Sequence, residues 1–251
     1  MKALLVVLIC SALTFGADSA VSSAHKATHR LHISSINEGS GKCSGTAVGP
    51  NALLTAAHCV GISRTIEVDD ASVKVVEVME DGLDHAIYLL DGITFTDIAE
   101  MSVKMPEQGD GVFIFGNPGS VNDVFRRGYV SGYYDPNSDE GDDAFKVDKK
   151  SDDDEDSENV TMYDLNGFFG DSGSGIFNDK GKVVGVISFV TNQQHKDISN
   201  KYMESLPIEL SEFQWKRAKT FVPPAPKEEK QKEVDFDGFF TRSNDRPKGR
   251  N

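Results

Sequence analysis

The segment GDSGSGIFN, residues 170–178, places two serines among three glycines and beside one aspartate. A serine hydroxyl is a weak nucleophile at neutral pH and needs a neighbouring base that removes its proton. His58, which follows the apolar segment LLTAA, is a candidate for this base because imidazole titrates near neutral pH. Such a base is held in place by a carboxylate, for which Asp81, Asp84 and Asp91 are nearby, and the nucleophile would be Ser172 or Ser174. A serine, a histidine and a carboxylate are the residue types of nucleophilic catalysis.

Each of these residues, taken alone, has a simpler structural explanation. A Gly-Ser segment can form an ordinary turn, and a histidine after an apolar strand is often a core residue. Asp81 and Asp91 are rivals of Asp84 for the carboxylate. Ser174 is the rival nucleophile, but it lacks the Gly-Asp pair that precedes Ser172. His85 is expected to face outward, away from the chemistry.

The composition bounds the compartment and the partners. The chain has 251 residues and a formal net charge of −14, which argues against nucleic acid and against an anionic membrane surface. Lys2 and the apolar residues 3–15 read as a signal peptide within 1–19, with cleavage after Gly16 or Ser19. The apolar run is too short to span a bilayer. We therefore expect a secreted or periplasmic protein without membrane insertion.

The cysteines fit this compartment. Cys10 lies in the predicted signal peptide, which leaves Cys43 and Cys59 as an even pair in an exported chain. Such a pair predicts a disulfide, with two independent buried thiols as the alternative. A bridge would close a loop of about 15 residues, contribute about 3 kcal/mol, and hold the backbone beside His58. The histidines show no metal-ligand spacing, so we assign no metal.

Short apolar segments broken by Gly, Asp and Asn indicate strands in two sets, 28–97 and 108–205. The second set contains an acidic loop, 135–158, with twelve acids and three lysines, typical of a solvated surface loop. A calcium loop is the weaker interpretation, because Gly141 falls one place late for an EF-hand and Lys146 replaces its glutamate. Residues 206–221 predict a C-terminal helix with Leu206, Leu210, Phe213 and Phe221 on one face, and 222–251 reads as a disordered tail.

The motifs also resemble a known family. TAAHC with the upstream CSGTAVGPNALL, then DHAIYLL, then GDSGSG resemble the trypsin-like serine endopeptidases of the chymotrypsin fold, in the same order of histidine, aspartate and serine. The resemblance covers about 31–221. VFIFGNPG, RRGYVSG and LPIELSEF are similar to the bacterial exported and HtrA-like branch, and we expect no PDZ domain after residue 221.

This resemblance implies an all-β fold of two packed antiparallel β-barrels with a C-terminal helix, and a His58–Asp84–Ser172 triad in the cleft between them. It implies that the backbone N–H groups of Gly170 and Ser172 face the oxyanion. The activity would be peptide-bond hydrolysis through an acyl-enzyme, without a cofactor, by a protein that we expect to be monomeric. A polypeptide substrate would bind extended along residues 188–190, from Ser188 to Val190.

The resemblance also predicts the primary specificity pocket. Asn166, six residues before Ser172, falls at its base, and Phe169 flanks its mouth. Ile187 stands where glutamate-specific relatives have a histidine, and Val190 where a glycine would leave the pocket open. A neutral, narrowed pocket favours Ala, Val, Thr or Leu over Arg or Lys. A shift of register would instead bring Asp164 to the pocket.

Asp171 departs from the asparagine usual in the HtrA-like branch and agrees with the animal trypsin pattern, in which a freed N-terminal ammonium neutralises it. A buried carboxylate needs a partner. The terminus left by signal removal and an internal Lys or Arg are both candidates.

Two other functional classes stay open. A protein of this fold can be a catalytically silent binding or regulatory module, although the presence of all three predicted triad residues disfavours this. A self-processing viral or phage proteinase is the other alternative, disfavoured by the exported N-terminus.

Overall fold

The computed structural model describes residues 19–35, 39–61, 63–119, 121–134, 160–195 and 198–225, with side chains at 34–35, 39–40 and 189–202 left aside. The acidic loop 135–158, residues 1–18 of the predicted signal peptide and the tail from 226 lie outside the described residues. None of the described helices is long and apolar enough to cross a membrane.

The first sheet is a closed barrel of six strands. Its strands follow one another in the order β1-β2-β3-β6-β5-β4, all antiparallel. Strand β4 shows the alternation of exposed and buried residues expected for a half-buried strand, whereas β3 is buried throughout. The strands are β1 (Thr28–Ser35), β2 (Gly39–Gly49), β3 (Ala52–Ala56), β4 (Thr65–Val68), β5 (Ala71–Glu80) and β6 (His85–Asp91).

The second unit is a seven-stranded antiparallel sheet, which within the described residues does not close into the predicted barrel. Its order is β11-β10-β7-β8-β9-β13-β12, so β12 forms one edge. A hydrophobic core that includes Ile114, Tyr163 and Ile176 packs against this sheet. The strands are β7 (Gly111–Gly116), β8 (Val124–Tyr134), β9 (Val160–Tyr163), β10 (Gly175–Asn178), β11 (Val183–Val186), β12 (Phe189–His195) and β13 (Ile198–Ser205).

Two helices in the described residues pack into a core cluster that residues of both sheets share. Residues 19–27 form helix α1, which the sequence analysis missed; Ala24 and Ala27 are buried in it. Helix α2 spans Glu212–Thr220 and begins later than predicted, because Ser211 caps it in a reciprocal capping box with Gln214. Residues 206–210 therefore lie outside the helix, and Phe213 is 72% exposed instead of facing the core.

Candidate active site

The pairing of β3 with β6 brings His58 and Asp84 together. His58 lies in the short 3-10 turn Ala57–Cys59 that follows β3, and Asp84 immediately precedes β6. The His58 Nδ1 atom lies 3.1 and 3.0 Å from the two carboxylate oxygens of Asp84. The His58 N–H donates to the same carboxylate at 3.0 Å, and the Ala57 N–H donates to the Asp84 carbonyl. Asp84 therefore fixes both the backbone and the ring of His58.

This contact also sets the tautomer of the histidine. An ionised carboxylate can only accept, so Nδ1 carries the hydrogen and Nε2 presents its lone pair. The Asp84 side chain is 11% exposed, whereas the His58 side chain is 44% exposed. The ring is thus held at Nδ1 by a nearly buried carboxylate, while part of the imidazole stays accessible to solvent.

A disulfide and a tyrosine hold the segment after His58. Cys43 and Cys59 are bridged, with their Cα atoms 6.2 Å apart, which confirms the predicted pairing. The Tyr88 hydroxyl donates to the Cys59 carbonyl at 3.1 Å and accepts from the Gly61 N–H. Burial raises the pKa of Tyr88 to about 12, so the hydroxyl stays a neutral donor.

The loop that carries Ser172 packs on β2 and β3, next to the disulfide. The Ser172 carbonyl accepts from the Ser44 N–H at 2.8 Å. Gly173 has a φ of +83°, and a Cβ there would lie 2.2 Å from the Ser44 carbonyl oxygen and from Thr55 Oγ1, so only glycine fits. Ser172 is partly exposed, whereas the rival Ser174 is fully buried. The Ser172 hydroxyl forms no hydrogen bond with His58 in the described residues; such contacts are often loose in free enzymes.

Residues 168–171 form the turn that presents Gly170. The Asp171 N–H donates to the Phe168 carbonyl at 3.1 Å, and Gly170 has a φ of +103°, as the third residue of a type II turn requires. The Gly119 N–H donates to the Phe169 carbonyl at 2.7 Å. Since carbonyl and N–H point in opposite directions in a trans peptide, the Gly170 N–H faces away from Gly119.

The two N–H groups predicted to bind an oxyanion are free for a ligand. Within the described part of the chain, neither the Gly170 N–H nor the Ser172 N–H donates a hydrogen bond. Buried or clefted backbone donors normally have acceptors. Two such donors beside a partly exposed serine can stabilise negative charge on a substrate oxygen.

An internal arginine is the partner of Asp171. The Asp171 side chain is fully buried, and the Arg126 guanidinium binds both of its carboxylate oxygens, at 2.6 and 2.7 Å. Arg126 also donates to the Asn166 carbonyl at 2.6 Å and lies 5.7 Å from the centre of the Phe168 ring. The loop 166–171 thus wraps around one side chain. The sequence alone does not identify Arg126 as this partner. It indicates only that a buried Asp171 carboxylate needs a cation.

Two of the predicted pocket residues, Asn166 and Phe169, lie in this loop. The side chain of Asn166 is exposed, and that of Phe169 is 97% exposed. Ser188 is buried, and its N–H donates to the Glu204 carbonyl. Val190 pairs with Met203 in the register of β12 and β13, while its side chain lies outside the described residues.

His85 is buried, so the expectation that it faces outward is wrong. Its Nδ1 lies 2.6 Å from Asp81, and both side chains are fully buried. Asp81 also accepts from the N–H groups of Leu83, His85 and Glu209. Burial alone would raise the pKa of Asp81, but the His85 hydrogen bond and these N–H groups hold it below its ordinary value. The rival carboxylate is therefore a structural one that stabilises the turn carrying Asp84.

The chain was compared with known proteins at the level of family, sequence and structure. A family model described as "Trypsin-like peptidase domain" matches residues 43–186, more than half of the chain. No curated protein sequence matches significantly. Similar solved structures include the active form of the Rv3671c protease from M. tuberculosis, at 16% identity and a TM-score of 0.56, with 75% of this chain and 78% of that chain covered.

Two further structures of the same fold are similar. The serine endoprotease from Yersinia pestis has 17% identity and a TM-score of 0.55, with 76% of this chain and 62% of that chain covered. The HtrA-type protease AlgW, solved with a tripeptide, has 18% identity and a TM-score of 0.55, with 76% and 59% covered. These likenesses establish a chymotrypsin-like fold, as predicted.

Proposed function

The chain belongs to the trypsin-like peptidase family and is a serine-type endopeptidase, and we propose that it hydrolyses peptide bonds through an acyl-enzyme formed on Ser172. The observation that carries the proposal is the His58–Asp84 pair. The ring nitrogen Nδ1 is bound to a buried carboxylate, which leaves Nε2 as the nitrogen that can act as the base. The full proposal is that His58, Asp84 and Ser172 act as one unit.

In the proposed reaction His58 Nε2 takes the proton of the Ser172 hydroxyl as Oγ attacks the substrate carbonyl carbon. The carbonyl oxygen becomes an oxyanion, which accepts from the N–H groups of Gly170 and Ser172. The tetrahedral species collapses, the C–N bond breaks, and His58 returns its proton to the leaving amine. In the second half of the reaction His58 takes a proton from a water molecule, which attacks the ester carbonyl. His58 then returns the proton to Ser172 Oγ as the ester bond breaks and the acid leaves. Asp84 stays ionised and stabilises the imidazolium.

We place the substrate along the free edge of β12. This strand pairs with β13 on one side only within the described residues, so its other backbone edge can bind an extended peptide. Residues 188–190 lie at the start of this edge, beside the loop that carries Ser172. Backbone pairing would position the scissile carbonyl, and side-chain pockets would set the sequence preference.

We propose a preference for small or medium uncharged side chains at the cleavage position. Asn166 offers a neutral amide, and Ile187 is apolar and buried. The resemblance puts Val190 where a glycine would leave the pocket open, which favours a narrowed pocket. Cleavage of a peptide library should therefore favour Ala, Val, Thr or Leu, and Asn166→Asp should add cleavage after Arg and Lys. Dominant cleavage after Arg or Lys by the unaltered protein would instead implicate Asp164.

We further propose that the protein is exported, to the medium or the periplasm. The Cys43–Cys59 disulfide supports this, since such bonds persist in oxidising compartments. Expression of the whole chain should give an exported form that begins after Gly16 or Ser19 and carries no free thiol. Retention of the full-length chain inside the cell would contradict the proposal.

A fluorophosphonate probe together with peptide hydrolysis tests the central proposal. The unaltered protein should react with the probe, and Ser172→Ala should lose both labelling and about three or more decades of kcat while keeping its fold. Ser174→Ala is the matched control, which should still be labelled. Loss of labelling only in Ser174→Ala would assign the other serine, and peptide binding without labelling or hydrolysis would favour a silent binding module.

A further inference from the structure

Ser44 contacts both residues whose N–H groups are proposed to bind the oxyanion. Its N–H donates to the Ser172 carbonyl at 2.8 Å, and its hydroxyl donates to the Gly170 carbonyl at 2.9 Å. Asn117 completes the arrangement, because its Nδ2 donates to the Ser44 hydroxyl at 3.0 Å. Ser44 is fully buried and Asn117 is 4% exposed, so water does not compete for these bonds.

The number of hydrogens on each group decides which atom donates in the hydrogen bonds among Asn117, Ser44 and Gly170. A serine hydroxyl has one hydrogen to donate. Asn117 Oδ1 accepts from the Asp123 N–H at 3.2 Å, which turns the amide so that Nδ2 points at Ser44. Because Nδ2 can only donate, the Ser44 hydrogen must point elsewhere, and the Gly170 carbonyl is the acceptor within reach. Asn117 therefore directs the Ser44 hydroxyl toward Gly170.

Gly170 needs such a restraint. Glycine populates positive and negative φ about equally, so the peptide units on either side of Gly170 can rotate at little cost. Rotation of either unit would redirect the Gly170 N–H or break the turn hydrogen bond of Asp171. The Gly119 N–H holds the unit before Gly170, and the Ser44 hydroxyl holds the unit after it. A Cβ on Gly170 would lie 2.4 Å from the Asn117 carbonyl oxygen, so the residue cannot be stiffened by substitution.

We propose that Ser44 and Asn117 are positioning residues that hold Gly170 in the orientation required for oxyanion stabilisation. The inference rests on the proposed function of the same site. The two residues touch neither substrate nor reacting atoms; they act through the peptide units of Gly170 and Ser172. Their loss should weaken binding of the transition state more than binding of the substrate.

The isosteric change Asn117→Asp gives the sharpest test. A carboxylate still accepts from the Asp123 N–H but cannot donate to Ser44, so the Ser44 hydrogen turns toward the new carboxylate and leaves the Gly170 carbonyl. We expect kcat to fall by about 10- to 100-fold, below the full loss of an oxyanion donor, with KM within about threefold. Asn122→Asp, an exposed position in the same loop, adds the same charge and should leave kcat unchanged.

Ser44→Ala removes the hydroxyl without adding charge and should lower kcat to a similar extent. Because both changes act through one hydrogen bond, Ser44→Ala with Asn117→Asp should be no worse than the more damaging single variant. The affinity for a peptide aldehyde, whose adduct with serine carries an oxyanion, should fall in parallel with kcat. The best peptide from library cleavage supplies both the substrate and the aldehyde sequence.

The results separate this inference from the function on which it rests. An unaltered protein that is neither labelled nor active overturns both. An active protein whose folded Asn117→Asp and Ser44→Ala variants match it in kcat overturns only the positioning roles. The positioning roles are also overturned if kcat falls while the affinity for the aldehyde is unchanged. They are overturned as well if the losses of kcat in the two single variants add fully in the double variant. If Asn117→Asp does not fold, Ser44→Ala and the aldehyde affinity decide the question alone.

Discussion

Replacement of Arg126 by methionine should damage both stability and catalysis. In the structure Arg126 forms two hydrogen bonds with the buried Asp171 and one with the Asn166 carbonyl. The Arg126 side chain is only 13% exposed, so solvent screens the ion pair weakly. Methionine keeps much of the length and apolar contact of the arginine stem but leaves the Asp171 carboxylate without a cation.

The expected loss of unfolding free energy follows from the burial of the Arg126–Asp171 ion pair. Removal of one partner of a buried ion pair costs about 3–5 kcal/mol, because the other charge stays buried and uncompensated. The Phe168 N–H, at 2.9 Å from Asp171, offsets only part of this cost. Rearrangement of the loop 166–171 would move Gly170 as well, so we expect kcat to fall by at least about tenfold.

Urea unfolding and peptide hydrolysis of the same preparations measure the two effects. Arg127→Met is the matched control, since Arg127 is the next residue on β8 and pairs with Asp179 at the surface, where the two side chains are 53% and 61% exposed. Such a pair contributes about 0–1 kcal/mol. The double change of Arg126→Met with Asp171→Asn removes both charges and should recover part of the lost stability.

Equal losses in Arg126→Met and Arg127→Met would refute the reasoning. So would an Arg126→Met protein with full activity and an unfolding free energy within about 1 kcal/mol of the unaltered protein. Full activity with reduced stability would show that Arg126 stabilises the fold but does not position Gly170.

Because Arg126 already neutralises Asp171, a one-residue extension of the mature N-terminus should leave kcat/KM unchanged; abolished activity would mean that the terminal ammonium is the partner after all. Burial would raise the pKa of Asp81, but the His85 hydrogen bond and the neighbouring N–H groups hold it below its ordinary value, so the stabilisation is present above that ordinary value and is lost as the pH falls through the native pKa. Asp81→Asn should therefore be less stable at pH 7, and its deficit in urea unfolding should shrink as the pH falls below the ordinary pKa of an aspartate; a constant deficit would contradict this. Replacement of Cys43 and Cys59 by serine should lower the unfolding free energy by about 3 kcal/mol, and unreduced mass spectrometry should find the native chain two hydrogens lighter than the reduced one.

The local residue pattern was enough to predict much of the fold and the candidate site. Short alternating and apolar segments predict strands because side chains alternate across a pleated sheet, and the structure is mostly β, as predicted. TAAHC, DHAIYLL and GDSGSG are contiguous motifs, so their resemblance to the trypsin-like family can be recognised from the sequence. The disulfide was likewise predictable from cysteine count and compartment, and the structure confirms it.

Tertiary structure alone decided the contacts that depend on distant segments. His85 is buried in contact with Asp81, and Asp81 in turn accepts from the Glu209 N–H. The residue pattern of β6 does not reveal these contacts. Helix α2 begins only after its cap at Ser211, and in the segment before it the Glu209 N–H donates to Asp81, a contact that the sequence does not reveal.

The sequence by itself determined which residue types are available for acyl transfer, and in what order. Only the tertiary structure decided that Arg126, 45 residues from Asp171, neutralises it, and that Ser44, 126 residues from Gly170, holds its carbonyl. The physical reason is that backbone propensity and polarity act over a few neighbouring residues. A buried charge or carbonyl is instead satisfied by whichever group the packed sheets bring within about 3 Å, at any separation along the chain.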